Sequence, residues 1–377
     1  MGQPGKNIMI QINKKPWWGV VLVAVALAVL PFITGAAFGP AWVRVLDFAL
    51  LYVLLSLGLN IVVGYAGLLD LGYVAFYAVG AYLYALASSP HLIQNFPAIA
   101  ALFPAGLHGP IWLLLPAGAL LAGVFGVLLG APTLRLRGDY LAIVTLGFGE
   151  IVRIFMNNLY RPVNITNGAQ GITQIDGIHI GSLALDRTQN ILGLAVPSLH
   201  LYYYLFLALV LLIIVVSVRL EDSRIGRAWV AIREDEVAAK ACGINTRNVK
   251  LLAFAMGASF GGVAGGLFAG FQQFVSPESF QLIDSIMILA MVVLGGMGHI
   301  PGVILGSLLL TGLPELFRYS ATPVQQMLFG KVLIDPETLR MLLFGLTLVV
   351  VMLYRPAGLW PEKRRSRELE QKRGEAA

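Results

Sequence analysis

The chain has 377 residues, of which 58% are hydrophobic and only 12% charged, against about 25% charged in an ordinary soluble domain. No soluble fold of this size hides that much apolar surface, so lipid is the expected solvent for most of it. The formal charge of +6 would suggest nucleic acid in a soluble protein, but here the basic residues lie between and after apolar segments, a pattern that orients a membrane protein and argues against nucleic acid.

A spanning helix needs about 20 mostly apolar residues. In chain order the candidates are 17–37, 45–64, 70–88, 111–131, 140–157, 201–219, 249–270, 283–298, 302–318 and 339–355. The first run, Trp17 to Phe38, follows Lys14 and Lys15 and exceeds the roughly 7–15 residues of a signal-peptide core, so an uncleaved helix is expected. The third, fifth and eighth candidates are short or carry charge. The expected fold is all-α: a polytopic transmembrane helix bundle of about ten spans, eight or nine if the weak candidates do not cross, in one domain over 1–377.

Orientation follows from the basic residues. With both termini cytoplasmic, the inside segments hold Lys6, Lys14, Lys15, Arg135, Arg137, the run from Arg219 to Lys250, and the basic tail 356–377. The outside segments hold only Arg44, Arg161, Arg187, Arg318, Lys331 and Arg340, and Arg153 lies within a span. The outside loop 89–110 lacks Lys and Arg and contains Pro90, Pro97, Pro104 and Pro110, which are expected to break any regular helix. The outside loop 158–200 is mixed and polar. The inside loop 220–248 reads as an amphipathic helix, with Trp229, Ile232, Val237 and Ile244 on its apolar side and Gly243 able to end it. Headgroups or neighbouring helices could cover that stripe; a cytoplasmic partner is the other reading.

Chemistry-bearing patterns are sparse. The lone Cys242 excludes an intramolecular disulfide and a cysteine metal cluster. The five histidines are scattered without metal-ligand spacing, so no metal site is expected. No Gly-x-x-x-x-Gly-Lys-[Ser/Thr] phosphate cradle occurs, so the chain is not expected to bind ATP, and no Gly-x-Ser-x-Gly elbow points to hydrolysis. Small residues recur every four positions at Gly118, Ala122, Gly126 and Gly130, at Gly257, Gly261, Gly265 and Ala269, and at Gly262, Gly266 and Gly270. Such faces pack helix against helix, here expected within the bundle.

A mid-span charge costs about 2.5–3.5 kcal/mol and needs a partner or a wet path. Glu150 and Arg153, three apart on one helix face, are placed to neutralise each other. Asp139 is expected to cap its helix. Asp70, between glycines near an inner end, could reach cytoplasmic water or line a pathway through broken backbone. Asp47, Asp284 and Glu315 lie near span ends and are expected to meet water. The residues alone leave an ion-driven secondary transporter open, although such proteins favour a buried carboxylate or histidine relay. The pathway candidates are Asn60, Asp70, Thr145, Glu150 and Arg153.

The segment Ala238-Ala239-x-x-x-Gly243 resembles the "EAA" loop by which bacterial ABC importer permeases dock on their ATPase, with its acidic residue one place early at Glu236 and no Ile-x-Leu-Pro ending. The stretches 64–72, 134–153, 275–280 and 293–298 resemble the LivM family, permeases of high-affinity branched-chain amino-acid ABC transporters, over about residues 45–360. That resemblance implies import of leucine, isoleucine or valine across a bacterial cytoplasmic (inner) membrane, with urea, amides or other amino acids as alternative cargoes. It implies three kinds of partner besides the bilayer: a homologous LivH-like second permease, two cytoplasmic ATPase subunits holding ATP and Mg, and a periplasmic substrate-binding protein. It also makes Arg227, Glu234, Asp235, Glu236, Ala238, Ala239 and Gly243 the candidate ATPase-docking residues, with no catalytic role and no cofactor on this chain.

Overall fold

A computed structural model describes residues 17–104, 106–134, 136, 138–181, 183–191, 194–329, 335–355 and 358–360. Lys6, Lys14, Lys15, Arg135, Arg137, Lys331 and the tail beyond 360 lie outside the described residues. Every segment expected to span contains a helix: α1 (Trp17–Phe38), α2 (Pro40–Leu59), α3 (Val74–Ala87), α6 (Ile111–Thr133), α7 (Asp139–Asn158), α8 (Ser198–Glu221), α11 (Thr246–Gln272), α12 (Leu282–Gly295), α13 (Ile300–Phe329) and α14 (Pro336–Tyr354). Among the described residues, six segments are long and apolar enough to cross a membrane: Pro40–Tyr65 (α2 with its continuation), Ile111–Thr133, Ser198–Glu221, Thr246–Gln272, Pro277–Gly295 (α12 with the turn before it) and Ile300–Met327. At 14 residues, α3 is about 21 Å long, shorter than the roughly 30 Å hydrocarbon core. Asp70 lies before it, outside any helix.

The bundle is built around α11, which packs on α6, α3 and α2. Its glycines explain how three neighbours fit. A methyl group on Gly262 would stand 2.6 Å from the Ala122 Cβ and against the Gly118 carbonyl, and one on Gly126 would stand 2.8 Å from the Ala258 Cβ. On the α3 side, Gly80 and Gly265 allow backbone-to-backbone contact, and on the α2 side Gly257 faces Gly58. The expected small-residue ladders are therefore internal packing faces, where short side chains let dispersion contacts form between backbones. Aromatic rings of Tyr77, Phe268 and Phe280 fill the space beside them.

Loops 89–110 and 158–200 meet at one end of the bundle, where the Asp176 amide donates to the Ser88 carbonyl at 2.7 Å and His108 pairs with Asp176 at 2.5 Å. Prolines in the first loop start helices rather than prevent them: Pro90 precedes α4 (His91–Asn95) and Pro97 opens α5 (Pro97–Leu102). The missing proline N–H costs nothing in a first turn, whose amides lack partners anyway. The second loop folds into two small hairpins, β1 (His179–Ile180) with β2 (Leu183–Ala184) and β3 (Gln189–Ile191) with β4 (Leu194–Val196).

At the opposite end, the expected single amphipathic helix is two: α9 (Arg224–Glu234) and α10 (Glu236–Ala241). The break falls at Asp235, whose extended backbone and carboxylate cap the second helix by accepting from the amides of Val237 and Ala238 at 2.7 and 3.1 Å. Ser223 caps α9 and Asn245 caps α11 in the same way.

Candidate transport site

The first cluster forms where α2 loses its regular winding. Residues Asn60–Tyr65 continue it as a π-helix, a rare winding that occurs mostly as single-turn bulges, frequently at functional sites. The buried Asn60 side chain accepts from the Gly298 amide at 2.8 Å. Gly298 holds φ +85 between α12 and α13, a conformation that L side chains rarely adopt. The carbonyl of Gly64 accepts from the Arg233 guanidinium, and Tyr65 donates to Glu221 at 3.0 Å. Sequence reading singled out Asn60 but missed Arg233 and Gly298; only the folded chain brings α9 against the end of α2.

Asp70 and Thr145 form a second cluster. Thr145 accepts from the Leu71 amide at 3.0 Å and donates to the Ala142 carbonyl at 3.0 Å, while Asp70 accepts from the Gly72 amide at 2.9 Å. Gly72 and Gly149 let the irregular segment lie directly on α7, and Phe76, Phe148 and Phe254 close over a small crevice there. Asp70 is 1% exposed, which corrects the expectation of a carboxylate reaching cytoplasmic water: one of its oxygens caps a buried turn. Its other oxygen has no hydrogen-bond partner among the described residues.

The third cluster lies toward the other end of α7. Arg153 Nε donates to both Glu150 oxygens at 3.1 Å, as the three-residue spacing implied. Its Nη1 also reaches Glu278 at 3.2 Å, so one guanidinium serves two carboxylates and ties α7 to the turn before α12. Glu278 went unrecognised because a 125-residue separation gives no local signal. The five pathway candidates thus occupy three places, not one site.

The remaining charges depart from expectation in part. Asp47 is fully buried rather than at water, and neither of its oxygens is hydrogen-bonded among the described residues. Asp284 closes a capping box with Gln281, and Glu315 pairs with Arg318. Asp139 is the first residue of α7 and follows the cap position Gly138; there its charge suits the positive helix end without capping it.

The 220–248 segment divides its residues between holding and presenting. Trp229 is fully buried and donates to the Val249 carbonyl at 2.7 Å, Ile232 and Ala239 are buried, and Gly243 (φ +84) ends the second turn. Glu236 is held, not presented: it meets Lys250 at 2.8 Å, Lys240 at 3.1 Å and the Thr246 hydroxyl at 3.3 Å. Asp235 is likewise a cap. Val237, placed on the apolar side by sequence, is 67% exposed, because the break at Asp235 rotates the second helix. Arg227, Glu234 and Ala238 are exposed as well.

Residues 41–352 match the family model for the branched-chain amino acid transport system / permease component. The chain belongs to that family. It is 41% identical to the high-affinity branched-chain amino acid transport system permease protein LivM of Escherichia coli, over 91% of this chain and 75% of that protein. The probable branched-chain amino acid transport permease protein LivM of Methanocaldococcus jannaschii is 27% identical over 83% of this chain and 91% of its own. LivH of Escherichia coli, also a permease protein of a high-affinity branched-chain amino acid transport system, is 26% identical over 69% of this chain and 79% of its own. No solved structure matches the chain. Family membership and the apolar helices together make this a multi-pass membrane permease.

Proposed function

We propose that the chain is the transmembrane permease subunit of an ATP-driven importer carrying leucine, isoleucine and valine into a bacterial cell across its inner membrane. The observation that carries this reading is the 41% identity to a LivM permease protein over nearly the whole chain. A LivH-like second permease, two ATPase subunits with their ATP and Mg, and a periplasmic binding protein complete the machine. Glu150 with Arg153 and Glu315 with Arg318 pair locally, while Asp47 and Asp70 are buried carboxylates, so the likeness to LivM, and not the placement of charge, sets this reading above an ion-coupled carrier.

In this reading α9 and α10 dock on the ATPases. Exposed Val237 and Ala238 on a capped, internally anchored turn supply an apolar point, and Arg227 and Glu234 supply charge around it. The buried Trp229 fixes α9 to α11, and Glu236 with Lys250 fixes α10 to it, so force on the segment reaches the bundle. Val237→Asp and Glu234→Arg, made in the co-expressed transporter, should abolish recovery of the ATPases with the tagged permease while leaving membrane insertion unchanged. Full ATPase recovery with both variants would remove the docking assignment.

A further inference from the structure

We propose that Arg233 is a positioning residue that links the α9–α10 segment to the bulged end of α2, so that movement of the segment is transmitted to the Asn60–Gly298 contact. The inference rests on the docking role proposed for α9 and α10, and deepens it by naming the route into the membrane. It begins from helix termini: the last carbonyls of a helix have no intrahelical donor, and its C-terminal end carries partial negative charge. Gly64 stands at the end of the π-helical turn, and the Arg233 guanidinium donates to its carbonyl.

Three neighbours make this contact a built one. The Arg233 stem lies on Gly67, where a methyl group would stand 2.8 Å from the Arg233 Cγ and 3.2 Å from its Cβ. Its Nη1 lies 3.2 Å from the position a Gly298 methyl would take, so the guanidinium fits between two glycines. Next along the chain, the Tyr65 hydroxyl donates to Glu221 at 3.0 Å, a second bond from the same cytoplasmic region to the same turn. The turn in turn holds Asn60 against the Gly298 amide at 2.8 Å. A contiguous chain of contacts therefore runs from α9 through the bulge to the junction of α12 and α13, the kind of packed network that can carry energetic coupling. Arg233 is immediately before Glu234 and Asp235, at the break between α9 and α10, so it sits where docking force would enter.

The test uses the complete transporter, reconstituted with its ATPases and binding protein in proteoliposomes, and reads leucine uptake per ATP hydrolysed. Arg233→Met keeps the packed stem and removes every donor. It should recover the ATPases as the unsubstituted chain does, retain ATP hydrolysis, and lower uptake per ATP by at least tenfold. Arg233→Lys, which restores a donor and a charge, should regain part of that loss, and Tyr65→Phe, which leaves the fold's apolar packing in place, should lower the ratio by about two- to fivefold. Unchanged uptake per ATP in both Arg233→Met and Tyr65→Phe would overturn the link. Loss of ATPase recovery in Arg233→Met would overturn it too, since Arg233 would then be a docking contact; failure of Val237→Asp alone would instead tell against the docking surface.

Discussion

At the scale of single residues, the charges near α10 act by holding one another. Lys250 is buried beside Glu236, and its ammonium pulls that carboxyl down to about 2, with Lys240 adding to the pull against the cost of burial. A folded-state pKa below the ordinary 4.5 means that ionised Glu236 stabilises the segment above about pH 4.5, and that this contribution disappears as pH falls toward 2. Hydrogen-exchange protection over 236–250 should therefore be flat from pH 8 to 5 and fall below about 4.5. Glu236→Gln should lose protection already at neutral pH, because it leaves the Lys250 charge buried without its partner. Equal protection of the two proteins at pH 7 would show that the ion pair does not hold the segment. The same residue shows how position was legible and role was not. The loop motif picked out Glu236 as an acidic docking residue, but a side chain turned inward onto Lys250 is spoken for.

At the scale of elements, α11 shows a helix chosen for thinness. Its mean apolar character would suit any span, but its glycines decide which faces can meet. The contrast between two glycines tests this. Gly262→Ala places a methyl 2.6 Å from the Ala122 Cβ, so the α6–α11 contact must open, at about 1–3 kcal/mol. Gly147→Ala, on α7 with nothing within 4 Å of the new methyl, should be neutral or slightly stabilising, since alanine favours helix by up to about 1 kcal/mol. Thermal unfolding of the two variants in detergent should separate them clearly; equal midpoints would mean that the α6–α11 seam is soft. The ladder period alone located these faces in the sequence. Which helix each face would meet was beyond it, because Gly118 and Gly262 are brought together only when α6 and α11 cross.

At the scale of the whole molecule, the division between passage and capture sets the last expectation. A zwitterion needs hydrogen bonds or opposite charge at both ends to be held tightly away from water, and a deep well along the route would trap it. The polar clusters at Asn60, Asp70–Thr145 and Glu150–Arg153 are committed to holding the backbone or one another and are spread along the bundle. Purified permease without its binding protein should bind leucine no more tightly than about 1 mM, or roughly −4 kcal/mol. Micromolar binding measured by calorimetry on this chain alone would place a high-affinity site within it.

The helical membrane architecture was determined by the sequence itself, because apolar runs of spanning length have no other way to satisfy their backbone in lipid. So were the ladders and the Glu150–Arg153 pair, which depend on the period of one helix. The winding of α2 into a π turn, the burial of Asp47 and Asp70, the inward turn of Glu236, and the contacts of Arg233 and Glu278 were decided only by tertiary structure. The contacts of Asn60 and Arg233 depend on partners far away in the chain: Gly298 lies 238 residues from Asn60, and Arg233 lies 169 from Gly64. Local periodicity carries no information about a hydrogen bond whose donor arrives from another helix, so a side chain's chemistry could be read early but its commitment only after the helices had packed.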